Sequence, residues 1–467
     1  MLNQETICAV ATPHGMGAIA TIRISGPQAI PVVSSLFQHQ CKSFDATTMV
    51  SHKAYHGFII DKDEILDEVI ATFFRSPHSF TGEDSAEISV HGSPYIQQKL
   101  LQVLIAHGCR LAEPGEFTRR AFVNKKFDLT QAEAISDLIS SESEAAHRVA
   151  INQLKGGFSK ELQVMRSKLL EMTALMELEL DFSEEDVEFA DRAKLNALLD
   201  EILTHVNRLK DSFRLGNAIK NGIPVAIVGQ TNTGKSTLLN ALLGEDRAIV
   251  SDIAGTTRDT IEETLNINGI LYRFIDTAGL RQTDETIEKI GIERSYRKII
   301  EASVVIGMLD ATNNYESILL SANEFIQKVD LEHQQLILCI NKVDTLVDQG
   351  AALLGQLRKD VENDDILMNC LSAKYKYGLN DLYTALKKKH PLTSPDVTLV
   401  TNLRHYEALA RASESLNQVK VGLETHIPTD LVSQDLRESL HYLGSITGEI
   451  TSDEILGTIF SRFCIGK

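Results

Sequence analysis

Gly229-Gln230-Thr231-Asn232-Thr233-Gly234-Lys235-Ser236-Thr237 follows directly on the apolar run Ile223 to Val228. The spacing is that of a phosphate-binding loop, G-x-x-x-x-G-K-[ST], set between a strand and the start of a helix. The glycines let backbone N–H groups close around the α- and β-phosphates of a nucleotide. Lys235 reaches the β/γ oxygens, and Ser236 offers a hydroxyl to Mg2+ at the helix N-terminus.

Further segments follow in the order that a guanine-nucleotide hydrolase needs. Gly255-Thr256-Thr257-Arg258-Asp259 is polar, and a threonine there can close over the γ-phosphate and complete the Mg2+ shell. The strand expected at Leu271 to Ile275 runs into Asp276-Thr277-Ala278-Gly279, which sets a carboxylate beside the metal shell and a glycine N–H near the γ-phosphate. An apolar strand, Leu336 to Ile340, ends in Asn341-Lys342-Val343-Asp344. The Asp344 carboxylate can accept guanine N1–H and N2–H2 while Lys342 packs along the base; adenine lacks that donor pair. Ser372-Ala373-Lys374, after a short strand near Ile366 to Leu371, offers a backbone N–H to guanine O6. Any one element alone can be read as an ordinary loop; their order makes the case for guanine nucleotide.

The group that prepares water for hydrolysis is less plain. Leu280 follows Asp-Thr-Ala-Gly where a glutamine often orients the attacking water. Residues 281 to 290 hold Gln282, Asp284, Glu285 and Glu288 as candidates, and spacing does not choose among them.

Around this domain the periodicity changes twice. Up to about residue 120, strand-like runs such as Ala18 to Ile24, Val69 to Phe74 and Ala86 to Val90 alternate with Gly, Pro and Ser turns, an α+β pattern. Helical spacing then takes over, with Phe158, Leu162, Met165, Leu169, Met172, Met176 and Leu180, and with Leu195, Leu199, Ile202, Val206, Leu209 and Phe213. It resumes after the nucleotide motifs with Leu403, Tyr406, Leu409, Leu416 and Val419, and with Leu436, Leu440 and Leu443. Asn221-Gly222 and the Pro391 to Pro395 segment punctuate the two crossings. The expected organisation is multidomain α/β and α, with boundaries at 1–122, 123–221, 222–390 and 391–467.

With 467 residues, the chain is long enough for several cores. Six cysteines without C-x-x-C or zinc spacing suggest reduced thiols, and no apolar run is long enough for a membrane span, so a cytoplasmic location is expected. The net charge of −18 argues against a surface that attracts RNA as a whole. Arg119-Arg120 and Lys125-Lys126 are the nearest local basic cluster, readable as a phosphate-binding patch or as plain surface charge.

The N-terminal Ile7-Cys8-Ala9-Val10-Ala11-Thr12-Pro13, the segments Ile22-Arg23-Ile24-Ser25-Gly26, Phe80-Thr81-Gly82-Glu83-Asp84 and Pro114-Gly115-Glu116-Phe117-Thr118, and the final Phe463-Cys464-Ile465-Gly466-Lys467 together resemble the MnmE (TrmE) family of tRNA modification GTPases. The resemblance covers essentially the whole chain. It implies an N-terminal tetrahydrofolate-binding and dimerisation domain, a helical-bundle domain, and a Ras-like P-loop GTPase domain inserted within the helical one. It implies a homodimer that works with an FAD-dependent, MnmG-like partner on the wobble uridine of certain tRNAs, installing a 5-carboxymethylaminomethyl-type group. The one-carbon unit would come from 5-formyl- or 5,10-methylene-tetrahydrofolate. Arg23, Glu83, Lys126 and Lys467 stand at the folate-contacting positions.

In the GTPase domain the resemblance implies a K+ ion in place of an arginine finger, held by Asn232, Ser251, Ile253 and Thr256, with Ser236 and Thr257 as Mg2+ ligands and Glu288 as the carboxylate that orients water. The nucleotide site would then comprise Asn232 to Thr237, the loop Ser251, Asp252, Ile253, Ala254, Gly255, Thr256 and Thr257, Asp276, Thr277, Ala278 and Gly279, Asn341, Lys342 and Asp344, and Ser372, Ala373 and Lys374. Thr231, Thr233 and Met16 depart from the family's usual residues, and Met16 puts a contact from its loop in doubt. Two other readings remain: a ribosome-assembly GTPase, which would carry an RNA-binding module after the GTPase domain, and a purely regulatory GTP switch without uridine chemistry of its own.

Overall fold

The computed structural model describes all residues except 1–4, 14, 40–41, 44–48, 182–191, 245–262, 268, 276–298, 389–397, 426, 452, 462, 464–465 and 467. The chain divides into two compact units, Met1–Ser136 with Gln153–Thr204 and Ala408–Lys467, and Asp137–Asn152 with His205–Glu407. In chain order the helices are α1 (Ala29–Leu36), α2 (Pro94–Ala106), α3 (Glu116–Val123), α4 (Leu129–Ile139), α5 (Glu144–Leu154), α6 (Gly157–Asp181), α7 (Arg192–Asn221), α8 (Lys235–Leu243), α9 (Tyr315–Lys328), α10 (Ala351–Val361), α11 (Leu379–Lys388), α12 (Leu403–Glu424), α13 (Thr429–Thr447) and α14 (Asp453–Phe460).

The first unit contains an eight-stranded sheet ordered β4-β3-β5-β6-β7-β2-β1-β8. Its strands are β1 (Ile7–Val10), β2 (Ile19–Ser25), β3 (Phe37–His39), β4 (Lys42–Ser43), β5 (Ala54–Asp61), β6 (Glu64–Phe74), β7 (Ser85–His91) and β8 (Arg110–Leu111). Period-two alternation sets one face inward: Ala20, Ile22 and Ile24 of β2 and Ala86, Ile88 and Val90 of β7 join the core with Val33 of α1 and Leu100 and Leu104 of α2. The residues between them, Arg23 and Glu87, pair directly across β2 and β7. In the helical part, Phe158, Leu162, Met165, Leu169, Met172 and Met176 of α6 are all buried, as the spacing predicts. That stripe packs against α13, whose Leu436, Leu440 and Leu443 are buried in turn.

The second unit is built on a six-stranded sheet ordered β10-β11-β9-β12-β13-β14. Its strands are β9 (Ile223–Gly229), β10 (Glu263–Ile267), β11 (Ile270–Phe274), β12 (Val304–Asp310), β13 (Gln335–Asn341) and β14 (Leu367–Cys370). All neighbours are parallel except the edge pair β10–β11. Parallel strands need helical crossovers that cover both faces, so their side chains are apolar in both directions. Val225 and Ile227 of β9 accordingly enter one core with Leu238 and Leu242 of α8, while Ala226 and Val228 enter another with Ile318 and Phe325 of α9. Helix α7 ends at Asn221, Gly222 turns the chain at φ +85°, and β9 begins at Ile223. The mixed α/β and helical fold class read from the sequence holds.

Candidate functional sites

In an open α/β sheet, ligands bind outside the carboxyl ends of the strands. The phosphate loop leaves β9 there and enters α8 at Lys235. Asn232 and Gly234 take left-handed conformations, φ +61° and +94°, which folds the loop tightly over its own centre. Lys235 Nζ donates to the carbonyls of Gly229 and Gln230 at 2.9 and 2.7 Å, and Thr233 Oγ1 donates to Gln230 O at 2.9 Å. Ser236 is half-buried in the first turn of α8, and Asn232 is exposed on the loop.

Asn341, at the end of β13, ties three segments together. Its Nδ2 donates to Thr233 O at 2.8 Å and its Oδ1 accepts from Ala373 N at 3.0 Å. The phosphate loop and the Ser372-Ala373-Lys374 loop are thus held by one buried carboxamide. Reciprocal hydrogen bonds between the main chains of Ser372 and Tyr377 close the latter loop. Ser372 Oγ donates to Asp344 Oδ1 at 2.6 Å, fixing the carboxylate expected to read guanine.

Lys342, in a left-handed conformation, reaches Asp310 Oδ2 at 2.6 Å. Burial opposes ionisation of Asp310, but Lys342 and two donors from Thr312 outweigh it and hold this carboxyl below its ordinary range. Sequence reasoning missed Asp310: it ends β12 and lies 32 residues from its partner. Its signal was a carboxylate closing an otherwise apolar strand beside the one that carries the Asn-Lys-x-Asp motif.

Ser251 to Thr257, Asp276 to Gly279 and Glu288 lie outside the described residues. For metals, the described donors are chemically suited: a hydroxyl at Ser236 for Mg2+, and the exposed carboxamide oxygen of Asn232 for K+.

In the first unit the four N-terminal segments and the tail converge. Arg23 Nε and Nη2 both reach Glu87 Oε1 at 2.8 Å. The same guanidinium lies over the rings of Phe80 and Phe117, 5.1 and 5.8 Å from their centroids, and its Nη1 donates to Gly466 O at 3.4 Å. A Cβ on Gly466 would stand 2.3 Å from Val10 O, and one on Gly115 would stand 2.6 Å from Phe460 O. The tail therefore runs against β1 and the start of α3 at two points where only glycine fits.

Glu83 Oε2 accepts from Ser25 Oγ at 2.8 Å, and Ser25 stands two residues beyond Arg23 on the same strand face. The stem of Lys126 packs beside Gly82, and its Nζ donates to Pro77 O at 2.9 Å. Lys467 lies outside the described residues, as does Cys464.

One expectation is overturned. Arg120 is not part of a surface phosphate patch: its side chain is only 4% exposed and bridges Glu83 and Glu116. Placed one turn after Glu116 on α3, it faces inward, whereas Lys125 and Lys126 are exposed.

Sheet order, loop and guanine-side contacts together define a guanine-nucleotide-binding P-loop GTPase. The family model for the N-terminus of the GTP-binding protein TrmE matches residues 6–126, and that for the MnmE helical domain matches residues 129–464. The tRNA modification GTPase MnmE of Bacteroides thetaiotaomicron is 50% identical over 100% of both chains, and that of Flavobacterium johnsoniae 48% over 100% of both. Among solved structures, Aquifex aeolicus Era bound to GDP and aluminium fluoride is similar at 29% identity over 41% of this chain and 66% of that one, with a TM-score of 0.28. The chain belongs to the MnmE family of tRNA modification GTPases, as its motifs suggest. Among the described residues no helix is long and apolar enough to cross a membrane.

Proposed function

We propose that this chain is a K+-stimulated, Mg2+-requiring GTP hydrolase that acts as a homodimer with an FAD-dependent, MnmG-like partner. The two modify the wobble uridine of certain tRNAs with a tetrahydrofolate-derived one-carbon unit. In this reading residues 1–122 bind folate and dimerise, 222–390 hydrolyse GTP, and 123–221 with 391–467 form the helical domain.

The observation that carries the GTPase part is the Asn341 clasp. One side chain ties the phosphate loop to the loop beside the guanine-reading Asp344, so both ends of a nucleotide meet a single preorganised frame. Lys235 and the loop amides bind the phosphates, Lys342 supports the base, and Glu288 orients the attacking water. Ser236 and Thr257 would hold Mg2+, and Asn232 with Ser251, Ile253 and Thr256 would hold K+. When bound, these cations offset the charge that develops on the phosphates.

The folate part is supported by the meeting of Arg23, Glu83, Lys126 and the Gly466 segment. A carboxylate suits the amide and amine edge of a pterin, and cationic side chains suit its anionic glutamyl tail.

Steady-state hydrolysis in KCl and in NaCl at equal ionic strength tests the reading, with wild type and Asn232→Ala and with ATP as control. Strong K+ stimulation of GTP hydrolysis, lost in the variant, is expected, with ATP left intact. Indifference to the cation would remove Asn232 from its proposed role.

A further inference from the structure

Behind Glu83 lies a row of charges whose middle members are buried. Arg110 grips Glu116 through two nitrogens, Nη1 to Oε2 at 2.9 Å and Nη2 to Oε1 at 2.7 Å, and the Glu113 amide adds a third donor at 2.9 Å. Arg120 donates to Glu116 Oε1 from Nη2 at 2.9 Å. Its Nη1 reaches the Glu5 carbonyl at 2.9 Å and both oxygens of Glu83, at 3.1 and 3.3 Å. Side-chain exposure is 2% for Glu116, 4% for Arg120 and 26% for Glu83, so the row opens to solvent at Glu83.

The row alternates in charge: Glu5 and Glu116 flank Arg110, whose Nε donates to Glu5 Oε2 at 2.8 Å, and Glu116 and Glu83 flank Arg120. Arg120 is far more buried than Arg110, 4% against 34% exposed, and the two carboxylates beside it offset the cost of burying its charge. The pairing also fixes geometry. A solvated glutamate samples many rotamers, and ordering it costs up to about 2 kcal/mol of side-chain entropy. Here one rigid guanidinium N–H spans both oxygens of Glu83 while Ser25 takes Oε2, which fixes the carboxylate plane and leaves acceptor capacity on Oε1.

We propose that Arg120, locked by Glu116, is a positioning residue that presets the Glu83 carboxylate for the edge of a folded-in pterin. This rests on the folate reading of Glu83 given above. Arg120 acts through Glu83 and not on the ligand itself.

The test is calorimetric titration of the full chain with 5-formyltetrahydrofolate, for wild type, Arg120→Lys, Glu83→Gln and the double variant. Lysine keeps the charge but cannot span two carboxylates with one planar group. Each single substitution is expected to weaken binding about tenfold, and the double variant no more than Glu83→Gln alone, since Arg120 acts only through that carboxylate. GTP hydrolysis by Arg120→Lys should be unchanged.

Multiplicative losses in the double variant, or wild-type binding by Arg120→Lys, would overturn the positioning role while leaving the folate site standing. Should Arg120→Lys fail to fold, Ser25→Ala asks the same question from the other side of the carboxylate: a loss of about threefold that vanishes in the Glu83→Gln background is expected, and unchanged binding overturns the idea. If the wild-type chain does not bind the ligand at all, the folate reading itself falls and takes the proposal with it.

Discussion

A Cβ added to Gly234 would stand 2.2 Å from Asn341 Nδ2, in a conformation that side chains rarely adopt. Gly234→Ala should therefore push Asn341 off the phosphate loop. The expected result is at least a hundredfold weaker GTP binding, roughly 3 kcal/mol, measured by titration with a fluorescent GTP analogue. Glu116 gives a prediction of another kind. Burial alone would raise its pKa, but Arg110, the Glu113 amide and Arg120 bring it down to about 2, against an ordinary 4.5. A carboxylate depressed on folding adds stability that is complete above the unfolded value and is lost as pH falls from about 4.5 toward 2. Scanning calorimetry of the wild type should show the transition of the first unit falling steeply over that range, and Glu116→Gln should flatten the slope. The loop residues were legible because a phosphate cradle is contiguous in sequence. The partners of Glu116 were not: Arg120 looked like one more basic residue in a run, and only the four-residue spacing to Glu116 hinted that the two face each other.

Among the elements, the long helices were the most legible, because six buried positions on α6 repeat the period over its length. Leu169 lies fully buried near the middle of that stripe. Leu169→Ala should cost roughly 2–5 kcal/mol, read as a lower unfolding midpoint in urea with GTP hydrolysis per folded molecule unchanged. Strand positions were right to within a residue or two where alternation or apolar runs were clean, as in β2, expected from Ala18 and found from Ile19. β6 begins five residues before its expected start, at Glu64, because its first half, Glu64-Ile65-Leu66-Asp67-Glu68, pairs with β5 but breaks the apolar alternation by setting Asp67 at a buried position. The pairing order of the eight-stranded sheet was not legible, since β1 and β8 join segments about a hundred residues apart through only two register pairs.

On the scale of the whole molecule, the net charge of −18 makes any contact with RNA a local matter, and the inward turn of Arg120 narrows the basic cluster still further. The tail is the other long-range feature. A chain cut after Phe460 loses Phe463, which packs with Phe460 in the core beside α4, and Gly466, which meets Arg23. Such a chain should hydrolyse GTP at the wild-type rate and lose 5-formyltetrahydrofolate binding; retained binding would show that the tail has no part in that site.

Arg23 and Gly466 are 443 positions apart, and that separation sets a clock. At the usual pace of translation, ~5–20 residues per second, about 20–90 s pass between the synthesis of the two. For most of that interval, once Leu111 has completed the sheet that bears Arg23, the strip of backbone that finally lies against it has not been made. The nascent N-terminal part must therefore stay soluble with that face of β1 and β2 still uncovered.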